Sequence, residues 1–240
     1  MAIMIDCASV LTAQNCADLH AADVYRVGRY LGAKSRGWSK GLTPQEAAAI
    51  HAHGMGILPI WEGDPVDAGY FTIHQGYLDA QGALEDALWL GIPDTVPIVA
   101  TVDYDAQAAD MNAIRSYFLS FASGLKGRRT GIYGGIMVVD NVAADVYWQT
   151  LAWSNGQVSK RAHVYQHAVN QTVANVPVDL DEVFIDPGFW LPSAAKPTAS
   201  APTASAPTTA AHTPSYDAGY TAGYNAAIAA AVKSLGGLKP

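Results

Sequence analysis

The run Pro97-Ile-Val-Ala-Thr-Val-Asp-Tyr-Asp105 restricts the possible folds more than any other stretch of the chain. Five apolar or β-branched residues in succession leave no polar face. Such a strand has to be covered on both sides, which is the condition of a parallel strand in an α/β protein. Side chains alternate across a strand, so Asp103 and Asp105 share one face and Tyr104 takes the other. A helical pattern starts at Ala106. Two carboxylates at the carboxyl end of a buried strand are costly to place without a task. They either cap the next helix and pair with a base such as Arg29, or they belong to a carboxylate active site.

The rest of the chain repeats the strand-then-helix pattern. Strands are expected at 2–8, 24–31, 56–63, 97–105, 129–135, 150–154, 163–167 and 183–186. Helices are expected over 13–22, from Pro44 to Gly54 or Gly56, over 73–90 and 106–124, and from the glycine pair Gly134-Gly135 to about Gln149. Leu42-Thr-Pro-Gln-Glu46 carries its own start signal: Thr43 as N-cap, Pro44 at the first helical position and Glu46 at the capping-box position. The alternation predicts parallel strands with right-handed crossovers. Eight strands in some 190 residues fit a TIM-like (β/α)8 barrel over residues 1–191 with irregular last units; an open doubly wound sheet is the alternative. No Gly-x-Gly-x-x-Gly follows the first strand, and no cofactor is expected.

Composition narrows the function classes. The 240 residues hold 14 Lys plus Arg against 21 Asp plus Glu, a net charge of −7. A surface that neutralises phosphates would be basic, so no nucleic-acid partner is expected. No apolar stretch reaches the roughly 20 residues of a membrane span. No basic segment followed by an apolar one opens the chain, so no secretory signal is expected. Cys7 and Cys16 are expected as buried thiols, and no metal-ligand spacing occurs. Residues 192–214 are Pro, Ala, Thr and Ser, a linker that cannot bury a core. Residues 215–240 carry Tyr216, Tyr220 and Tyr224 at helical spacing beside Gly219 and Gly223. A separate C-terminal helix is expected there, with self-association or partner docking as its use.

The active site of an α/β barrel lies at the carboxyl ends of its strands. In this sequence those positions hold Asp6, Arg29, Glu62, Asp103, Asp105, Tyr133, Trp153, Gln166 and Asp186. Barrel closure is expected to put Asp6 beside Asp186. Carboxyls crowded round one cavity cannot all ionise freely, and a raised pKa is what a general acid needs at neutral pH. Trp61, Trp153 and Tyr133 add flat apolar faces, which would suit a sugar ring; ordinary core packing is the competing use for each of them.

The segments Met4-Ile-Asp6, Val27-Gly-Arg-Tyr30, Leu42-Thr-Pro-Gln-Glu46, Val102-Asp-Tyr-Asp105 and Gly131-Ile-Tyr-Gly-Gly135 resemble the actinobacterial and phage glycoside hydrolase-like domain. That domain is similar in turn to the family-25 lysozymes, cell-wall muramidases on a modified α/β barrel. The resemblance covers residues 1–191. It implies a cell-wall polysaccharide as ligand, peptidoglycan or a related envelope glycan. By the match in type, Asp6, Asp103 and Asp186 take the places of three lysozyme acids. Asp105 stands where those enzymes carry a catalytic Glu, one methylene longer. Asp105 is then the expected proton donor, with Arg29, Trp61, Glu62, Tyr133, Trp153 and Gln166 as expected sugar contacts. The same resemblance admits a glycan-binding module without turnover, as in a phage tail or lysin. A phage protein would reside in the host cytoplasm before release, or on the virion.

Overall fold

The structure is a computed structural model and describes residues 3–193. Eight strands close into a barrel in chain order. They are β1 (Ile3–Asp6), β2 (Val24–Tyr30), β3 (Gly56–Trp61), β4 (Ile98–Thr101), β5 (Thr130–Gly134), β6 (Val146–Thr150), β7 (Val164–Val173) and β8 (Val176–Val183). Five α-helices follow the first five strands: α1 (Ala13–Ala21), α2 (Pro44–Ala52), α3 (Ile73–Leu90), α4 (Met111–Gly124) and α5 (Ile136–Asn141). The strands from β1 to β7 pair in parallel with their neighbours. The class is therefore α/β and the sheet is a closed barrel, which excludes the open doubly wound sheet.

The last third departs from the expected alternation. The fifth helix ends at Asn141, and Val146-Tyr-Trp-Gln-Thr150, rich in β-branched and aromatic residues, is strand instead of helix. The eighth strand is not 183–186. It lies upstream and runs antiparallel to both β7 and β1. Only Ala174 and Asn175 join it to β7, both with positive φ (50° and 64°), as a tight hairpin turn requires. A two-residue joint can reverse a chain but cannot make a parallel crossover. Residues 194–214 of the expected linker and the helical segment expected over 215–240 lie outside the described residues.

Side chains divide between two cores. Met4, Leu58, Ile60, Val99, Trp148, Val164 and Phe189 fill the barrel interior. Room for Trp148 depends on Gly28, where a Cβ would stand 2.5 Å from the indole. A larger apolar layer lies between the strands and the helices. The foot of the barrel is tied by Trp190, which exchanges backbone hydrogen bonds with Ile57 at 2.8 and 2.9 Å.

The helix starts follow their caps. The Thr43 hydroxyl accepts from the Glu46 amide at 3.2 Å, with Pro44 inside the first turn. The Glu46 carboxylate does not complete a capping box. It turns to Arg29, with bonds of 2.8 and 3.2 Å, and also accepts from the Leu11 amide at 2.9 Å. Arg29 is fully buried between β2 and α2. Removing the Glu46 carboxylate would leave a buried cation without its counter-charge. Glu46→Ala is expected to lower the unfolding free energy by about 3–5 kcal/mol, measured by urea denaturation.

Candidate functional site

Inward-facing residues at the end of the barrel where β1 to β6 finish line a cleft. They are Asp6, Tyr30, Ile60, Thr101, Asp103, Tyr133, Trp148, Gln166 and Asp179. Counting the part open to solvent, the space is about 360 Å³. Strand parity decides which residues reach it. On β2, Gly28 and Tyr30 face in and Arg29 faces out; on β3, Ile60 faces in and Trp61 faces out.

Gln166 is the centre of the polar network. Its Nε2 donates to Asp6 Oδ2 at 2.8 Å and to Asp179 Oδ2 at 3.2 Å. Its Oε1 accepts from the Tyr133 hydroxyl at 3.0 Å and the Thr150 hydroxyl at 2.9 Å. Both amide protons serve carboxylates and both carbonyl lone pairs serve hydroxyls, so the arrangement assigns the orientation of the amide. Asp179 is held on its other oxygen by the Asn170 amide at 2.7 Å. Below it, Asp181 accepts from Trp148 Nε1 at 2.8 Å, and its second oxygen is buried without a hydrogen-bond partner among the neighbouring donors.

The electrostatics follow from burial. Asp6 is 6% exposed, and its carboxyl is pushed up to about 7. Burial is the main cause; the charges of Asp179 and Asp103 add to it, and the hydrogen bond from Gln166 opposes it. Asp181 lies well above the usual carboxylate range, through burial first and then the charge of Asp6. It therefore keeps its proton at neutral pH. Asp103 is also raised, by burial and by the charges of Glu62 and Asp179, with Lys40 acting against them. Burial keeps the Tyr133 phenol protonated, as its bond to Gln166 requires.

Of the residues expected at the mouth, Asp6, Asp103, Tyr133 and Gln166 meet in the cleft. Glu62 stands at the rim, 2.5 Å from Lys40, whose ammonium lies 4.2 Å above the ring of Tyr30. The others lie outside the cleft. Arg29 is spent on Glu46. Trp61 packs outward, between Arg36 at 4.2 Å and Gly82 of α3. Asp105 is exposed and outside the cleft, because the strand ends at Thr101 and the chain turns at Tyr104, where the carbonyl accepts from Ala106. Alternation stops carrying information where pairing stops. Asp186 lies past β8, exposed, accepting from Gly188 at 2.8 Å. Since β8 runs backwards, its end is at the foot of the barrel and not the mouth. Trp153 is exposed on the loop after β6, outside the cleft lining.

The sequence reading passed over Tyr30, Trp148, Asp179 and Asp181. The last two sit opposite Asp6 and Met4 in the β1–β8 ladder. A signal was present, since Val176-Pro-Val-Asp-Leu-Asp181 alternates and places both acids on one face. Among the described residues no group of three or more His, Cys, Asp or Glu is arranged to hold a metal ion.

The shift of Asp6 gives a pH dependence with a definite sign. Folded, the group holds its proton up to about 7; unfolded, it releases it near the ordinary carboxylate value of 3.8. The stabilisation is complete below the unfolded value and is lost as pH rises through the folded one, at up to about 1.4 kcal/mol per pH unit. Asp6→Asn removes this term. Its stability relative to wild type is expected to rise between pH 4 and pH 8, as followed by urea denaturation at each pH.

Comparison with known proteins agrees with this geometry. The model of the Rv2525c-like, glycoside hydrolase-like domain family matches residues 17–188. YbfG of Bacillus subtilis is 32% identical over 54% of this chain and 20% of its own length. This chain spans about a fifth of the length of the curated relatives it matches. The Tat-secreted protein Rv2525c of Mycobacterium tuberculosis, solved in complex with L-tartrate, superposes with a TM-score of 0.67 at 22% identity, over 79% of this chain and 98% of that one. The modular autolysin LytC of Streptococcus pneumoniae gives 0.50 at 11% identity, over 75% and 46%. At these identities the two structures show a common fold. With the family's model matched across most of the barrel, the chain belongs to the Rv2525c-like glycoside hydrolase-like domain family.

Proposed function

We propose that the cleft binds a bacterial cell-wall polysaccharide, peptidoglycan or a related envelope glycan, and hydrolyses one of its glycosidic bonds. The observation that carries this reading is the Asp6 carboxyl, buried, fixed by Gln166 and titrating near neutrality in a cleft shared with Asp103 and Asp179. A carboxyl in that range can give a proton at neutral pH and take one back. Asp6 donates its proton to the glycosidic oxygen, and the leaving sugar departs as the alcohol. Asp103 and Asp179 face the positive charge that develops on the remaining ring, and water completes the hydrolysis. Asp105, outside the cleft, has no part in this scheme. Tyr30, Tyr133 and Trp148 supply aromatic wall and hydroxyls to a ring whose faces are apolar and whose edge is polar.

A second reading is glycan binding without turnover. It is favoured by the position of Asp105, since the residue matched to the lysozyme acid lies away from the cleft and no Glu lines it.

The two readings separate in one assay, the release of reducing ends from purified bacterial cell walls. Wild type is expected to release them. Asp6→Asn should lower the rate by about 100-fold or more, the contribution of a positioned acid, while still sedimenting with the insoluble walls. A wild type that sediments with the walls and releases nothing identifies a binding module.

A further inference from the structure

We propose a second sugar-binding position beside the cleft, formed by Trp153 as an aromatic platform for the next ring of a longer glycan. The inference rests on the glycan reading of the cleft. Trp153 has φ = 54°, in the left-handed region that suits glycine or asparagine and costs a residue with a bulky side chain. Its neighbours in the same loop, Asn155 (50°) and Gly156 (72°), are of the kind that adopt it readily. Burial compensates only in part, because 38% of Trp153 stays exposed. Local conformation therefore disfavours a tryptophan here while a large part of its indole stays open to solvent, and backbone strain of this sort concentrates at functional sites.

The loop is held firmly on both sides of Trp153. Ser154 is 1% exposed; its hydroxyl accepts from the Ile136 amide at 3.1 Å and donates to the Thr150 carbonyl at 2.8 Å. The Gln149 amide, fully buried, donates to the Gln157 carbonyl at 2.7 Å and accepts from the Ser159 amide at 2.7 Å. An indole presented from a fixed backbone loses little entropy on stacking.

The position joins the cleft. Thr150, three residues before Trp153, bonds Gln166 directly. A Cβ built on Gly135, two residues after the cleft residue Tyr133, would lie 3.4 Å from the Cβ of Trp153. Trp153 thus stands at the β5–β6 side of the mouth, where the next ring of a longer glycan would leave the cleft. The apolar face of a pyranose is the chemistry that an exposed indole recognises.

The test uses the full chain and two soluble peptidoglycan probes, the disaccharide of N-acetylglucosamine and N-acetylmuramic acid and its tetrasaccharide, titrated calorimetrically at low temperature. Trp153→Asn and Trp153→Ala are expected to weaken tetrasaccharide binding about tenfold and leave disaccharide binding unchanged. Trp153→Phe should retain most of the tetrasaccharide affinity. Because asparagine fits the left-handed backbone, Trp153→Asn should melt no lower than wild type. Equal loss for both probes, no loss for either, or a lower melting temperature with unchanged binding would overturn the proposal while leaving the cleft reading intact. A wild type that binds neither probe overturns both.

Discussion

The side-chain amide of Gln166 joins four other strands. Through it β7 is bonded to Asp6 on β1, Tyr133 on β5, Thr150 on β6 and Asp179 on β8. A buried amide is tolerable only when its groups are satisfied, and here both protons and both lone pairs are used. The consequence is a fixed spacing among the acids. Asp6 and Asp179 share one donor group, so neither can swing away without leaving a proton of Gln166 unpaired. A cleft wall built this way is preorganised before any ligand arrives.

That arrangement imposes a charge problem, which the fold solves by protonation. Asp6, Asp179 and Asp181 lie on two paired strands, and Asp103 faces them from the end of β4. Ionising all of them in a buried space would cost far more than the surrounding hydrogen bonds return. Asp181, the most deeply buried, stays neutral, and Asp6 is left near the midpoint of its titration at neutral pH. Lys40, stacked on Tyr30 and paired with Glu62, is the cation that tempers Asp103 from the rim.

Bases and aromatics on the outward parity build the scaffold instead. Arg29 and Glu46 fasten α2 to β2. Asp79 of α3 gathers Arg36 at 2.6 Å, the hydroxyls of Tyr70 and Tyr117 and the amide of Gln75, which ties the segment before α3 to α3 and α4. Trp61 completes that layer under Arg36. Arg29 and Trp61 are no weaker sugar contacts by chemistry than the residues inside; one step along the strand turned them to the other face.

The barrel class and about half of the mouth were legible from residue order alone. Apolar runs ending in acids, separated by capped helices, located β1 to β5, and with them Asp6, Asp103 and Tyr133. These signals are local: hydrophobic periodicity, turn residues and caps act over a few neighbours. Tertiary structure decided the rest. Whether Trp61 or Ile60 faces the cleft, and whether Asp105 follows Asp103 into it, depends on which face the sheet curls around and where pairing ends. The pairing of Asp6 with Asp179, and not Asp186, depends on a two-residue turn that reverses the last strand. The near-neutral titration of Asp6 comes from burial and from charges that include Asp179, 173 positions away in the chain, brought within reach only when β8 closes against β1.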